Sequence, residues 1–428
     1  MTAETKKGLF YYGWWMVFAA FMCMLVAYGA RFYSFGIYLK PMAQEMGWTR
    51  ATTSSAFTIS SLFLGFLSPF VGKLLDKYGN RVILFWGGAI AGLGFALCYL
   101  TQSLFHFYIF FSLIMPIGIA GCGMVPSNAL VAKWFRKKSG FAMGLVSVGM
   151  GLGSVVMVNL AQYLISLYGW RTSFLVMGVI IWVVICPIAL FLVKNKPADI
   201  GLLVDGDTPQ EAAAAATATA AAGKPGAGDV WPMKEFLRTP AFWGIALMFM
   251  TVCFGALINL VHLVPHATDI GHSRKFAAFV LSVMMMSSLA GRFVFGYIAD
   301  KVDTVKLMSI LLVWMFAAMF VFMNVIGIKD PTMFYAYVII FGFPYGAVAQ
   351  LTATIINKLF GPASFGVIFG AVFFAGTFGT GFGPLFAGWI YDVTKNYDIA
   401  YAVASGLILL SAILLFTFTR KAPKRRHA

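Results

Sequence analysis

Arg292 is the residue of this sequence whose type and position point most directly to chemistry. It lies within SSLAGRFVFGYIAD, Ser287–Asp300, where it interrupts a long apolar run. A guanidinium keeps its proton inside a protein. On insertion scales a charge at the centre of a membrane helix costs roughly 2.5 to 3.5 kcal/mol, so Arg292 must face a polar cavity, a protein partner or an anion. Its planar fork of donors can bind a carboxylate through two parallel hydrogen bonds.

A second polar group lies in the run INLVHLVPHATD, where Asn259, His262 and His266 are three and four residues apart. This spacing places them on one face of a helix. Because an imidazole titrates near neutral pH, His262 is our candidate for carrying a coupled proton. The alternative is that His262 is a hydrogen-bonded structural residue or a contact of an outer gate.

Arg31 is the other arginine inside a predicted span. It could add a second fixed positive charge to a binding site, although it could not release a proton. Alternatively, it lies close enough to the outer end of its helix to extend into the lipid headgroups. The sequence leaves both alternatives open.

The composition identifies the class of protein that must position these residues. Of 428 residues, 61% are hydrophobic and only 11% are charged, and the mean hydropathy is +0.85. Successive apolar runs of about 20 residues match the thickness of a bilayer core. We therefore predict an all-α, multi-pass membrane protein, because helices satisfy their own backbone hydrogen bonds in lipid.

The formal net charge of +16 does not indicate nucleic-acid binding, because the basic residues lie in loops and not on a soluble basic face. The five cysteines fall inside apolar runs without the spacing of metal ligands, and we expect no cofactor and no metal site.

Hydropathy predicts twelve membrane-spanning helices with both termini in the cytoplasm, since most Lys and Arg residues then fall in cytoplasmic segments. The predicted spans are Tyr12–Leu39, Thr52–Leu75, Val82–Leu100, Phe107–Val131, Gly140–Leu167, Thr172–Val193, Ala241–His266, Phe276–Ala299, Leu307–Ile326, Met333–Ile356, Phe365–Ile390 and Ala400–Phe418. The N-terminal segment lacks a small-residue cleavage site, so we interpret it as a retained first span.

The chain divides into two halves of six spans each. Residues 194–238 are rich in Ala, Gly, Pro and Thr, a composition that forms a tether and not a packed core. We predict six-helix bundles at residues 1–193 and 239–428. An internal repeat supports the division, because GKLLDKYG from Gly72 recurs as GYIADKV from Gly296, and KWF from Lys133 recurs as KLF from Lys358. Repeated halves of this kind place a central site at their interface in several transporter folds.

The segment GKLLDKYGNR, from Gly72 to Arg81, resembles the cytoplasmic signature of the major facilitator superfamily. The degenerate copy with Asp300 lies where that superfamily has its second copy. The resemblance implies the twelve-helix major facilitator fold. We expect Asp76, Arg81 and Asp300 to act in gating, by pairing across the two halves when the inner side is shut.

Two further stretches resemble the monocarboxylate transporter family. They are YGWW from Tyr12, in the first predicted helix, and KWFRKKSGFAMG from Lys133, in the fifth. The Gly291-Arg292-Phe293 pattern is also similar to that of the oxalate:formate antiporters. In both families the arginine of this motif binds the substrate carboxylate, which implies that role for Arg292. Ser288 stands one turn earlier, where the animal monocarboxylate transporters have an aspartate.

The eleventh predicted span indicates which anion is carried. The oxalate:formate antiporters place a lysine in this helix to balance a dianion, whereas Val367–Pro384 here contains no charge. An unpaired buried charge on a dicarboxylate would cost several kcal/mol, which favours a monoanion if Arg31 does not reach the site. Tyr28, Asn128, Phe341 and Tyr345 are our candidates for lining the site, together with Asn259, Ser288 and Arg31.

The sequence therefore predicts a secondary transporter of short monocarboxylates such as lactate or pyruvate, working by rocking of two bundles in the inner (plasma) membrane. Proton coupling is implied by the family resemblance. The alternatives are an oxalate:formate-type antiporter and, more distantly, a non-transporting membrane sensor. An enzyme is not expected, because the spans contain no nucleophile with a base and no metal cluster. We expect no nucleic-acid partner and no obligatory protein partner.

Overall fold

The computed structural model describes residues 11–135, 139–206, 233–299, 301–325, 330–360 and 365–419, and within these ranges the chain is helical without strands. The α-helices before the linker are α1 (Gly13–Cys23), α2 (Phe35–Met46), α3 (Arg50–Leu97), α4 (Leu104–Phe107), α5 (Met115–Cys122), α6 (Met124–Trp134) and α7 (Ser139–Pro187). Those after it are α8 (Met233–Phe236), α9 (Pro240–Asp269), α10 (Arg274–Ala299), α11 (Thr304–Val325), α12 (Pro331–Tyr345), α13 (Val348–Phe360), α14 (Phe365–Thr394) and α15 (Asp398–Thr419). The remaining helical segments are π-helical at Met24–Tyr33, Tyr108–Ile114 and Ile188–Leu192, and 3₁₀ at Cys98–Leu100, Pro197–Ile200 and Val204–Gly206. The predicted all-α membrane fold is confirmed.

Ten helical stretches of the described chain are long and apolar enough to cross a membrane. One of them, Ala142–Leu192, has 51 residues, which at about 1.5 Å per residue is more than twice a bilayer core. It is interrupted at Gly169, whose φ of 80° is a conformation that favours glycine. The predicted span Thr52–Leu75 is not among the ten, although it lies inside the helix α3 (Arg50–Leu97). The count of twelve and the cytoplasmic termini stay predictions.

Several helices begin at residues whose side chains cap the first turn or whose proline ring fits it. Thr49, Thr239 and Asp330 each stand before a helix, and each side chain accepts a hydrogen bond from a backbone N–H two or three residues later. Such caps satisfy donors that the first turn leaves free. Pro240 and Pro331 occupy the first positions of α9 and α12, where a missing N–H costs nothing.

Lysines at equivalent positions of the two halves donate hydrogen bonds to equivalent loops. Lys133 donates a hydrogen bond of 2.8 Å to the side chain of Asn80. Lys358 donates one of 2.6 Å to Thr304 and one of 3.2 Å to the carbonyl of Ala299. These lysines are the KWF and KLF positions of the sequence repeat, so the repeat has a structural counterpart. The bundle boundaries themselves remain a prediction, and residues 207–232 of the linker lie outside the described ranges.

The halves meet at one end of the molecule, which we call the closed end; it contains Lys40 and Asp269. At this end Lys40 of α2 pairs with Asp269 of α9. Further from it, Thr58 donates to the carbonyl of Gly381 at 2.6 Å. The halves are also in contact towards the middle of the helices, because a methyl group on Gly65 would lie 3.1 Å from the side chain of Thr377. The positive-inside pattern predicts that the closed end faces outward.

Candidate functional site

Arg292 lies half-buried on α10, facing the C-terminal end of α12. Its Nε donates to the carbonyl oxygen of Gly346 at 3.4 Å. Two glycines make this approach possible. A methyl group on Gly291 would lie 1.7 Å from the carbonyl oxygen of Phe343, and one on Gly346 would lie 1.7 Å from that of Ser288. The backbones of α10 and α12 are therefore in direct contact beside the arginine.

The charge of Arg292 has no carboxylate partner within 4 Å in the part of the chain that the structure describes. The phenols of Tyr33 and Tyr345 lie within electrostatic range of it. Tyr345 is half-buried and Tyr33 is 5% exposed. A guanidinium with one long contact to a carbonyl retains donors for a carboxylate. Ser288, one turn earlier on α10, is buried.

Arg31 is buried in the π-helical segment Met24–Tyr33 and is only 1% exposed. Its Nη2 donates to the hydroxyl oxygens of Ser60 at 2.9 Å and of Ser61 at 3.4 Å. The guanidinium also lies 5.4 Å from the ring centre of Phe57. The side chain thus points into the protein, which is contrary to the alternative that it extends to the headgroups.

The two arginines are linked by tyrosines. Tyr28 interacts electrostatically with Arg31, and Tyr33 interacts with both Tyr28 and Arg292. Tyr28 is half-buried, and its ring packs against Gly123, at the break between α5 and α6. Arg31 and Arg292 are thus each within electrostatic range of a tyrosine, and Tyr33 is within range of both Tyr28 and Arg292.

Two predicted lining residues are packed inside the second half. Phe341 is fully buried, with ring centres 5.7 Å from Tyr337 and 6.3 Å from Tyr345. Asn259 is fully buried as well and accepts a hydrogen bond of 2.5 Å from the hydroxyl of Tyr337. Neither side chain has solvent-exposed surface in the described part of the chain. Asn128 is half-buried on α6.

His262 is fully buried, and both of its ring nitrogens have partners. Nε2 lies 2.8 Å from the carbonyl oxygen of Pro384, so it must carry a hydrogen and donate it. Nδ1 lies 3.0 Å from the hydroxyl of Tyr397 and accepts from it in the neutral imidazole. Arg50 in turn donates to the same hydroxyl oxygen. His262 is therefore hydrogen-bonded to a residue that contacts the other half.

The closed end contains an ion network that the sequence analysis did not find. One carboxylate oxygen of Asp269 accepts from Lys40 at 2.7 Å, and the other pairs with Arg50 at 2.7 Å. Asp392 accepts from the backbone N–H groups of Arg50 at 2.9 Å and Ala51 at 2.7 Å, at the start of α3. The sequence signal was present as opposite charges at the predicted outer ends of different spans.

The predicted gating residues of the inner side are only partly described. Arg81 donates from its backbone to Asn195, at the start of the linker, at 2.9 Å, and from Nη2 to the carbonyl of Leu190, in its own half, at 2.5 Å. Asp300 and the side chain of Asp76 lie outside the described residues. Pairing of these residues across the halves stays a prediction.

Membrane-crossing helices with a sequence repeat, and a half-buried arginine that has no described carboxylate partner, are the features expected of a transporter with a central site. The sequence model of the Major Facilitator Superfamily matches residues 17–379 and 256–428, and the chain belongs to this superfamily. It is a membrane transporter of that type and not an enzyme.

Individual relatives agree with this assignment. Monocarboxylate transporter 13 of Bos taurus is 27% identical over 407 residues, covering 95% of this chain and 89% of that protein. The oxalate:formate antiporter of Oxalobacter formigenes is 26% identical over 422 residues, covering 94% and 93%.

Among solved structures, a bacterial homologue of the human lysosomal transporter Spinster, inward-facing and occupied, aligns with a TM-score of 0.73 at 16% identity, covering 96% of this chain and 98% of that one. A D-xylose–proton symporter aligns with a TM-score of 0.71 at 16% identity, covering 97% and 99%. At this identity the structures support the fold alone. The resemblance to monocarboxylate transporters and oxalate:formate antiporters is confirmed by the sequence relatives.

Proposed function

We propose that this protein transports short monocarboxylates of the lactate and pyruvate type across the inner (plasma) membrane, together with a proton. The observation that carries the proposal is Arg292, half-buried between the halves with one carbonyl contact at 3.4 Å and no described carboxylate within 4 Å. An anion that binds there supplies the missing negative charge. Tyr28, Tyr345 and Asn128 are the half-buried groups proposed to contact the rest of the substrate.

Charge balance supports a monoanion. The helix α14 contributes no charged residue between Val367 and Pro384, so Arg292 is the site's main positive charge on this side. One carboxylate matches one guanidinium, and transport of the neutral pair with a proton avoids moving net charge through the bilayer. A second carboxylate would have to be compensated elsewhere.

A second candidate, oxalate:formate-type exchange, is favoured by the position of Arg31. This residue is buried and interacts with Tyr28, which shares the neighbourhood of Arg292 through Tyr33. If Arg31 reaches the substrate, a dianion would meet two positive charges. Counterflow with oxalate and none with lactate would identify this second function.

His262 remains the proposed proton carrier. In the neutral form its Nδ1 accepts from Tyr397. A proton on Nδ1 would turn that nitrogen into a donor, and the hydroxyl of Tyr397 would then accept from both His262 and Arg50. Protonation would therefore rearrange the contact that joins His262 to the closed end, which is a route from proton binding to movement of the halves.

Uptake of labelled lactate into proteoliposomes, with and without an inward proton gradient, tests the proposal. We expect gradient-stimulated uptake, its loss in Arg292→Ala, and partial recovery in Arg292→Lys, which keeps the charge without the fork. Arg238→Ala is the matched control because Arg238 is an exposed arginine at the predicted cytoplasmic side. Uptake by Arg292→Ala equal to that of the control, with both variants folded, would refute the site assignment.

A further inference from the structure

The contacts of Asp269 join the two halves at the closed end more directly than any other ion pair described in the structure. The carboxylate belongs to α9, in the second half, whereas Lys40 of α2 and Arg50 of α3 belong to the first. Each cation lies 2.7 Å from its own carboxylate oxygen. One acidic side chain therefore holds two basic side chains of the opposite half.

Arg50 is held by several further groups of the second half. Its guanidinium carbon lies 3.5 Å from the ring centre of Tyr391, and it donates to the hydroxyl of Tyr397. Its backbone N–H donates to Asp392, so a carboxylate also caps the start of α3. All these contacts would be lost if the halves separated here.

We infer that Asp269 is the latch of the closed end, and that opening this end releases Lys40 and Arg50 as an anion-attracting pair. The transport cycle needs each end to open in turn, so the contacts between the halves must break once per cycle. When Asp269 moves away with α9, the first half keeps two cations without a partner, facing the gap. An incoming carboxylate would then replace the charge that Asp269 had supplied.

The surroundings of the latch fit both roles. A narrow cleft runs beside it between the halves, lined on one side by Gly36, Lys40 and Gln162 and on the other by Pro265, Thr268 and Arg274. The cleft thus already contains two basic side chains and an amide, with apolar walls. The Lys40 and Asp269 side chains are 21% and 19% exposed, so water can reach them as the pair separates.

Partial exposure also limits the strength of the latch. The Lys40–Asp269 pair is within reach of solvent and is therefore weak, whereas the Arg50 side chain is only 9% exposed. Removing both pairs should shift the balance between closed and open forms by roughly tenfold, which corresponds to about 1.4 kcal/mol. Such a latch favours the closed form without preventing it from opening.

Accessibility of the cleft tests the inference. Gln162 is 8% exposed and lines the cleft, so a thiol introduced by Gln162→Cys should react slowly in the closed form. The full-length detergent-solubilised protein would be treated with a water-soluble thiol reagent, and modification of the peptide carrying position 162 followed by mass spectrometry. Adding Asp269→Asn should speed the reaction roughly tenfold. Asp398→Asn is the matched control, because this exposed acid at the start of α15 forms no ion pair with any described residue.

Lys40→Gln provides a second measurement should Asp269→Asn not fold. It removes one of the two pairs and should produce a smaller increase. The double variant should react no faster than Asp269→Asn alone, because Asp269→Asn already removes the pairs of both Lys40 and Arg50. Rates for Asp269→Asn and Lys40→Gln equal to the Asp398→Asn rate would overturn the latch. The inference uses the proposed function only in requiring alternation of the halves. Because this measurement involves no substrate, failure of lactate uptake and failure of the latch are separate outcomes.

Discussion

Replacing Gly291 by alanine should separate α10 from α12 and disturb the arginine site. The added methyl group would lie 1.7 Å from the carbonyl oxygen of Phe343, whereas ordinary contact begins at 3.4 Å. The helices would have to move apart by the difference, about 1.7 Å, because a backbone oxygen cannot rotate away as a side chain does. Overpacking of this kind typically costs about 1 to 3 kcal/mol.

A control substitution separates the steric clash at Gly291 from the general effect of alanine on helix stability. Alanine is favoured over glycine in the interior of a helix by about 1 kcal/mol, so without the steric clash Gly291→Ala would stabilise the protein. Gly406 of α15 lies in a helix interior, and a methyl group there would meet no described atom within 4 Å. We expect Gly406→Ala to be neutral or stabilising and Gly291→Ala to unfold at lower temperature.

The assay combines thermal unfolding of the purified protein with the concentration dependence of lactate uptake. Since Arg292 and its contact, the carbonyl of Gly346, lie on the two separated helices, KM should rise in Gly291→Ala and stay unchanged in Gly406→Ala. Equal stability and equal KM in the two variants would refute the argument that glycine is needed here for close approach of the backbones.

Two further predictions concern buried hydrogen bonds. Tyr397→Phe removes the hydroxyl that joins His262 and Arg50, and should lower the free energy of unfolding by about 1 to 3 kcal/mol, measured by thermal or denaturant unfolding in detergent. Ser60→Ala removes the 2.9 Å contact of the buried Arg31 and should destabilise the protein by a similar amount, in the same assay.

Each of these predictions has a matched control. Tyr163→Phe removes a hydroxyl from a tyrosine that is 61% exposed and should leave stability unchanged. Ser309→Ala removes a hydroxyl that, among the described residues, donates within its own helix to the carbonyl of Val305. Losses no greater than those of the controls would mean that the buried contacts contribute no measurable stability.

The prediction for Arg292 was possible because an arginine in an apolar span is costly and must have a reason. The partners of buried charges were not predictable in the same way. Arg31 is hydrogen-bonded to Ser60 on the next helix, and the sequence provides no sign that this serine, and not one of its many neighbours, faces the guanidinium. Helix periodicity gives the spacing of a face but does not say towards which neighbour the face is turned.

The same limitation explains why two residues that were predicted to line the site are instead packed inside the second half. Phe341 and Asn259 lie in apolar spans, where a residue can face a cavity, another helix or lipid with the same local pattern. In the structure both face the interior of the second half, beside Tyr337. His262 illustrates the intermediate case, because the alternative of a hydrogen-bonded residue near a gate was foreseen while its partner Tyr397 was not.

The sequence by itself determined that this chain is a helical membrane protein with repeated halves, because hydropathy and repeats are sums over local residues and need no knowledge of contacts. It also singled out Arg292, because the cost of burying a charge is local. Only the tertiary structure decided which end of the molecule is closed and that Asp269 binds Lys40 and Arg50 there. The reason is physical: an ion pair depends on the distance between side chains from separate helices, and that distance is set by the packing of the whole bundle.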